Sequence, residues 1–244
     1  MQWVGMLPGQ GSQEVGMGNE LLEKYNNLLK STFEESLGWS LEDIINSNDP
    51  ELIKKTNIAQ PYIFAISYCY GLEAINELGS PAALIGHSLG EYTALCLSGY
   101  LDFKDALKVI AVRGEEMQKA VENSNTTMAA VLTNDLDTTF EEINKLNNQG
   151  IQIWISNLND PTQIVVSLYI EDVDFLKSNP KTLGAKRVIP LEVAGAFHTE
   201  IVSSAKKPLN DVLSEVHISE GKIPVYMNVD AKKVEVSTLK ENLV

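Results

Sequence analysis

Three residue types able to share nucleophilic chemistry are spread along this sequence: a serine in a glycine-flanked turn, a downstream histidine and an arginine among apolar neighbours. The serine is Ser88, in Leu84-Ile85-Gly86-His87-Ser88-Leu89-Gly90-Glu91. G-x-S-x-G between a short apolar strand (82–85) and a helix (92–97) is the pattern of a nucleophile elbow. A serine on so sharp a turn takes a strained backbone conformation, and glycines two residues before and two after remove the clash with neighbouring side chains. The following helix opens with N–H groups that lack intrahelical partners, at the positive end of its dipole. An oxygen turning negative beside Ser88 finds donors there, Leu89 N–H first. The competing reading is a chance match in a glycine-containing loop; the strand before and the helix after favour the elbow.

A serine needs a base to become a nucleophile, and there are only three histidines. His87 adjoins Ser88, and neighbours on an elbow point apart. His217 lies in the polar stretch Val216-His217-Ile218-Ser219-Glu220-Gly221 and reads as a loop residue. His198 follows Gly195-Ala196-Phe197 at a helix start, well after the serine in the chain order of an elbow enzyme. By elimination His198 is the base; the plainer reading is a histidine that caps a helix. Nothing selects an acidic third member between Asp160 and Asp230, and a backbone carbonyl can also accept from Nδ1–H. Arg113 sits among Val109, Ile110 and Val112, where the plain alternative is an ion pair with Glu91 or Glu116.

These residues must be positioned by a mixed α/β framework. Residues 3–7 read as a strand and Pro8-Gly9-Gln10-Gly11-Ser12-Gln13 as a glycine-rich loop. Residues 19–37 carry helical apolar spacing, and Ser40 with Asp43 opens a short helix ending near Asn46. Asn48-Asp49-Pro50 reads as a turn. Pro61 suits the first position of a helix running to about Leu78, apolar on most faces and therefore central. Asp102 is placed to cap a helix over 103–121. After a polar linker (123–127), strand, helix, two strands, helix and strand follow over 128–191, the β-α-β-β-α-β order of the ferredoxin-like split βαβ. Residues 199–216 read as a helix that Pro208 should kink or split. A last strand covers 223–227, and a helix begins at Thr238.

The 244 residues are 44% hydrophobic, enough for one large domain or two small ones. No apolar run approaches the roughly 18 residues of a membrane span, and no secretory signal is visible. Cys69 and Cys96 lie in apolar helical patterns and read as buried free thiols, which fits a reducing cytoplasm. No cysteine or histidine spacing suggests a metal site. A formal charge of −14 argues against nucleic acid and anionic membrane as partners. It also means that an anionic substrate must be held by a local cation.

With these pieces placed, the chain resembles the malonyl-CoA:acyl-carrier-protein transacylase family, which serves fatty-acid and polyketide synthesis. The resemblance rests on Pro8-Gly9-Gln10-Gly11-Ser12-Gln13, Gln60-Pro61, Gly86-His87-Ser88-Leu89-Gly90-Glu91-Tyr92, Arg113-Gly114 with Met117, 157–163, and Gly195-Ala196-Phe197-His198. It implies an α/β-hydrolase-like core with a parallel sheet (1–126 and 193–244), an inserted ferredoxin-like subdomain (127–192) and an active site in the cleft between them. It implies that Ser88 is acylated by malonyl-CoA and deacylated by the phosphopantetheine thiol of an acyl carrier protein. His198 would be base and then acid, and the backbone N–H groups of Gln10 and Leu89 the oxyanion hole. Arg113 would grip the malonyl carboxylate, with Gln60 and Met117 nearby and Phe197 marking malonyl rather than methylmalonyl use. No cofactor or metal is implied; malonyl-CoA is substrate, the localisation cytoplasmic and the expected unit a monomer. Lys186 and Arg187 are candidate contacts for an acidic carrier.

Two features depart from the family pattern. Pro208 falls inside the helix after His198. The family ordinarily runs on past the position of Val244, with a segment that supplies the carbonyl orienting the histidine and closing strand and helix elements. The expectation is therefore a fragment, or a member with reduced stability or activity. A serine esterase or thioesterase with the same elbow, and a non-catalytic carrier-binding remnant, stay open as alternatives.

Overall fold

The computed structural model describes residues 2–244. By its internal contacts the chain divides into two compact units: residues up to Glu116 together with Lys206–Val244, and Met117–Ala205.

The first unit is built on a parallel sheet. Strand β1 is Val4–Leu7. Then come short helices α1 (Phe33–Leu37), α2 (Leu41–Asn46) and α3 (Pro50–Lys54), and the long α4 (Thr56–Leu78). Strand β2 (Ala83–Gly86) leads into α5 (Gly90–Ser98), followed by α6 (Phe103–Val121); the boundary between the units falls within α6. Local signals explain many ends. Ser40 accepts from Asp43 N–H at 3.2 Å, and Asp102 accepts from the N–H groups of Lys104 and Asp105 at 2.8 and 3.3 Å. These are the helix-start donors that have no intrahelical acceptor.

The second unit contains β3 (Thr126–Thr133), α7 (Leu136–Asn148), β4 (Ile153–Asp160), β5 (Gln163–Tyr169), α8 (Ile170–Ser178) and β6 (Ala185–Pro190). All three strand pairings are antiparallel, in the order β4-β5-β3-β6. That is the ferredoxin-like arrangement that the sequence order predicts. Its core is apolar: Val131, Ile143, Ile164, Val166, Leu168, Leu176 and Leu183 cluster at 0–2% exposure. The chain then returns to the first unit through α9 (Lys206–Glu215), β7 (Val225–Tyr226) and α10 (Leu239–Asn242). In the first sheet β2 pairs in parallel with both β1 and β7. A matching hydrophobic cluster centres on α4, with Tyr62, Ile63, Phe64, Ala65 and Cys69 fully buried.

Several details depart from the sequence pattern. Residues 19–37 do not form one helix but a 3-10 turn (Asn19–Leu21), a π-helical stretch (Asn27–Thr32) and α1. Asn26 and Asn27 are weak helix formers, yet Leu21, Leu22, Leu29 and Phe33 stay buried. Asn48-Asp49-Pro50 is not only a turn: Asp49 caps α3 by accepting from Glu51 and Leu52 N–H. Pro61 does not open α4, which starts at Thr56; it lies inside the helix, where the backbone forgoes one i→i−4 bond. Pro208 does split its segment, into a 3-10 stretch (Glu200–Ala205) and α9, with the proline in the first turn of α9. Cys69 and Cys96 are buried free thiols, and burial pushes the Cys69 thiol up to about 12.

Candidate active site

Parallel strands end on one side of their sheet, and the segments leaving those ends form the crevice where ligands bind in open α/β folds. In the first unit the segments after β1, β2 and β7 carry Gln10, Ser88 and Asn228. The loop after β1 lies on the elbow, with His87 N–H donating to Leu7 O at 3.0 Å. Gln10 Nε2 ties the same loop to the start of α4 by donating to Thr56 Oγ1 at 3.2 Å.

The elbow is built as its glycines require. Ser88 has φ 51, a left-handed conformation that is costly for a side-chain-bearing residue. A Cβ on Gly86 would lie 2.0 Å from Gly90 C, and one on Gly90 would lie 2.2 Å from Leu7 O. Backbone meets backbone at both positions, so only glycine fits. Gly90 N–H donates to His87 O at 2.9 Å and Glu91 N–H to Ser88 O at 3.1 Å, winding the turn directly into α5. Leu89 is buried at the cap of that helix.

Arg113, on α6, is buried at 8% exposure. Nη1 donates to Gln60 Oε1 at 2.7 Å, Nη2 donates to Ser88 Oγ at 3.0 Å, and the guanidinium lies over the Tyr92 ring, 5.6 Å from its centroid. Gln60 is itself buried. The long, central α4 thus presents an amide that fixes one arm of the guanidinium, and the other arm reaches Ser88 Oγ. Asn57 on the same helix donates to Glu115 Oε2 at 3.1 Å, a second polar tie between α4 and α6.

Two residues of this cluster were not legible as site residues. Asn228 follows β7: its Oδ1 accepts from Ser88 N–H at 2.7 Å and its Nδ2 donates to Gly86 O at 2.6 Å. Glu91 accepts from Asn228 N–H at 2.6 Å. Burial pushes the Glu91 carboxyl up to about 7, against the lowering pull of the Asn228 N–H and of Arg113. The only sequence signal for Asn228 is an asparagine directly after a predicted parallel strand.

The second unit holds the other candidates. Met117 and Phe197 are buried with Val121, Met128, Val165 and Ala205 in one small cluster. The segment 195–199 is stitched to the sheet: Ala196 N–H donates to Thr126 Oγ1 at 3.0 Å and Ser167 Oγ to Phe197 O at 3.3 Å. His198 is exposed and has φ 57, so it shares with Ser88 a conformation that persists where the surroundings enforce it. His87 and His217 are also exposed. The two candidate acids serve local turns. Asp160 accepts from Thr162 N–H and Oγ1, and Asp230 accepts from Lys232 N–H. Among the described residues no group of three or more His, Cys, Asp or Glu is arranged to hold a metal ion.

A strained serine at the end of a parallel strand, with a buried guanidinium on its hydroxyl, is an arrangement suited to acyl transfer through a serine in an α/β protein. Residues 4–243 match the family described as the acyl transferase domain, and the chain belongs to that family. It is 39% identical to the malonyl CoA-acyl carrier protein transacylase of Bacillus subtilis over 98% of this chain and 76% of that protein. It is 35% identical to the polyketide biosynthesis malonyl CoA-acyl carrier protein transacylase BaeC of Bacillus velezensis, over 94% of this chain and 78% of that one. A solved complex of a type II PKS acyl-carrier protein with its malonyl-transacylase has a chain that superposes with a TM-score of 0.87. That match has 29% identity and covers all of this chain and 80% of its counterpart.

Proposed function

We propose that the chain transfers a malonyl group from coenzyme A to the phosphopantetheine thiol of an acyl carrier protein through an ester on Ser88. The observation that carries this reading is the buried Arg113 guanidinium, one arm on Gln60 and the other 3.0 Å from Ser88 Oγ. A cation there costs desolvation unless a substrate charge uses it. A malonyl carboxylate matches its fork, and an uncharged acyl chain would leave buried donors unpaired.

In this mechanism His198 takes the Ser88 hydroxyl proton as Oγ attacks the thioester carbonyl. The tetrahedral oxyanion is held by the N–H groups of Gln10 and Leu89; losing one such donor typically costs about 10²–10³ in rate. The C–S bond breaks, and the departing coenzyme A thiolate receives the proton from His198. The carrier thiol then gives its proton to His198 and attacks the ester, and Ser88 is regenerated by the reverse of the first step. Gln60 holds Arg113 in place, and Met117 and Phe197 line the acyl pocket. We assign residues 1–126 and 193–244 to the acyltransferase core and residues 127–192 to the ferredoxin-like subdomain. The exposed Lys186 and Arg187 on β6 supply the contact to an acidic carrier. The chemistry needs no resident cofactor or metal, and the working unit is taken as a cytoplasmic monomer that binds neither nucleic acid nor membrane. Among the described residues no helix is long and apolar enough to cross one.

The test is intact-protein mass spectrometry after brief exposure to malonyl-CoA and, separately, acetyl-CoA. A malonyl adduct that maps to Ser88 and disappears in Ser88→Ala is the expected result, with little or no acetyl adduct. Fast hydrolysis of uncharged esters, indifferent to Arg113→Ala, would replace this reading by a serine esterase. Carrier binding without any adduct would replace it by a non-catalytic binder.

A further inference from the structure

Ser88 is held in a left-handed conformation (φ 51) that its own side chain disfavours, so something must over-determine it. The glycines permit this turn but do not enforce it. The enforcing contact comes from far along the chain, at the end of β7. The Asn228 carboxamide is a flat group with one acceptor and one paired donor. Its acceptor takes Ser88 N–H at 2.7 Å, and its donor reaches Gly86 O at 2.6 Å. One rigid group therefore clamps the residue entering the turn and the residue at its apex. Asn228 is fixed in turn, because its own N–H donates to Glu91 Oε1 at 2.6 Å, on the first turn of α5. The bonds close a ring through Gly86, Ser88, Glu91 and Asn228.

We propose that Asn228 is a positioning residue for the nucleophile: its carboxamide locks the Gly86–Ser88 elbow so that Oγ points outward and Leu89 N–H, the next along the turn, faces the developing oxyanion. The inference rests on Ser88 being the nucleophile, as in the proposed function, and goes beyond it in assigning a role to a residue that does not touch substrate. Because Ser88 N–H is consumed by Asn228, the elbow's contribution to the oxyanion hole falls to Leu89. The chemistry also explains the residue type. An ionised carboxylate could accept from Ser88 N–H, but it would set a negative charge against the Gly86 carbonyl and beside the oxyanion. Only a neutral group that both donates and accepts satisfies both sides.

The experiment compares the wild type, Asn228→Ala and Asn228→Asp in two assays. One is the single-turnover rate of malonylation from malonyl-CoA. The other is the labelling rate of Ser88 by a fluorophosphonate, which reports the nucleophile whatever its natural acyl donor. Thermal melts confirm folding. For Asn228→Ala both rates should fall about 10²-fold, the size expected of a reacting atom displaced by about 1 Å, with KM for malonyl-CoA within about twofold because Arg113 is untouched. For Asn228→Asp the deficit relative to wild type at the same pH should shrink as pH falls, because a protonated carboxyl regains a donor for Gly86 O. The series is run in a Glu91→Gln background, which removes the titration of the carboxyl that touches Asn228; a merely structural role then predicts no such pH-dependent rescue. Rates within about threefold of wild type, a loss confined to KM, or a pH-flat deficit in Asn228→Asp would overturn the proposal. So would a wild type in which neither reagent labels Ser88. Fluorophosphonate labelling without malonylation would refute the transferase reading alone and still read the Asn228 effect. If Asn228→Ala fails to fold, the pH series of Asn228→Asp decides.

Discussion

The two units solve opposite problems with their sheets. In the ferredoxin-like unit the strands are antiparallel, the core is mainly apolar with a few buried Ser and Thr hydroxyls, and many polar side chains serve turns and caps near them in sequence: Asp135 on Thr138, Asp160 on Thr162, Asn147 on Ile153. In the parallel-sheet unit buried polar groups are joined across the chain. Arg113 meets Gln60, Ser88 meets Asn228, and Asn228 meets Glu91. A parallel sheet needs long crossovers between neighbouring strands, so segments distant in sequence emerge side by side at one end. That arrangement gathers reactive groups and leaves them mutually dependent. The antiparallel unit gains stability from packing and local pairing, and its substitutions should act locally.

The largest effect should come from the network. Arg113→Ala is expected to lower kcat/KM for malonyl-CoA about 10³-fold, the loss of a charge-assisted bidentate grip, while acetyl transfer is unchanged or rises. The ratio of the two kcat/KM values measures it. Equal losses for both acyl groups would mean that Arg113 serves the elbow and not the carboxylate. Next comes the apolar core of the ferredoxin-like unit. Ile164 is fully buried on β5 between Val131 and Leu158. Ile164→Ala should cost about 2–5 kcal/mol, read as faster hydrogen exchange confined to 117–205, with fluorophosphonate labelling of Ser88 unchanged. If labelling falls in step with exchange, the contrast between local and networked units fails.

The same contrast explains what was legible in the sequence. Many features that depend on neighbours a few residues away are predicted by the pattern: the Ser40 and Asp102 caps, the limits of α6, the split at Pro208, and the β-α-β-β-α-β order. The elbow belongs to this group, because its glycines and serine lie within five residues, Gly86 to Gly90. Features that depend on distant partners escaped. Asn228 lies 140 residues from Ser88, and nothing around it distinguishes a clamp from a turn asparagine. Arg113 was recognisable as a buried cation, but its bond to Gln60 reflects where α4 places that amide. Pro61 inside α4 and the broken helix at 19–37 show packing overriding local preference, since both segments bury apolar side chains that compensate for imperfect backbone geometry.

Glu91 offers the smallest test and bears on how the network is balanced. Its carboxyl is 6% exposed and titrates near 7, raised from 4.5 chiefly by burial. The folded protein therefore binds this proton more tightly than the unfolded chain. The stabilisation is fully present below about pH 4.5 and is lost as pH climbs through about 7. Glu91→Gln keeps an oxygen to accept Asn228 N–H but removes the ionisation. Its stability should gain on the wild type between pH 5 and 8, by on the order of 2 kcal/mol at the upper end, as read from chemical denaturation at each pH. An unchanged difference across that range would mean that Arg113 compensates the Glu91 charge in full. The buried polar cluster would then be an electrostatically balanced set, and the parallel-sheet unit would carry its site without the stability loss that an uncompensated buried charge imposes.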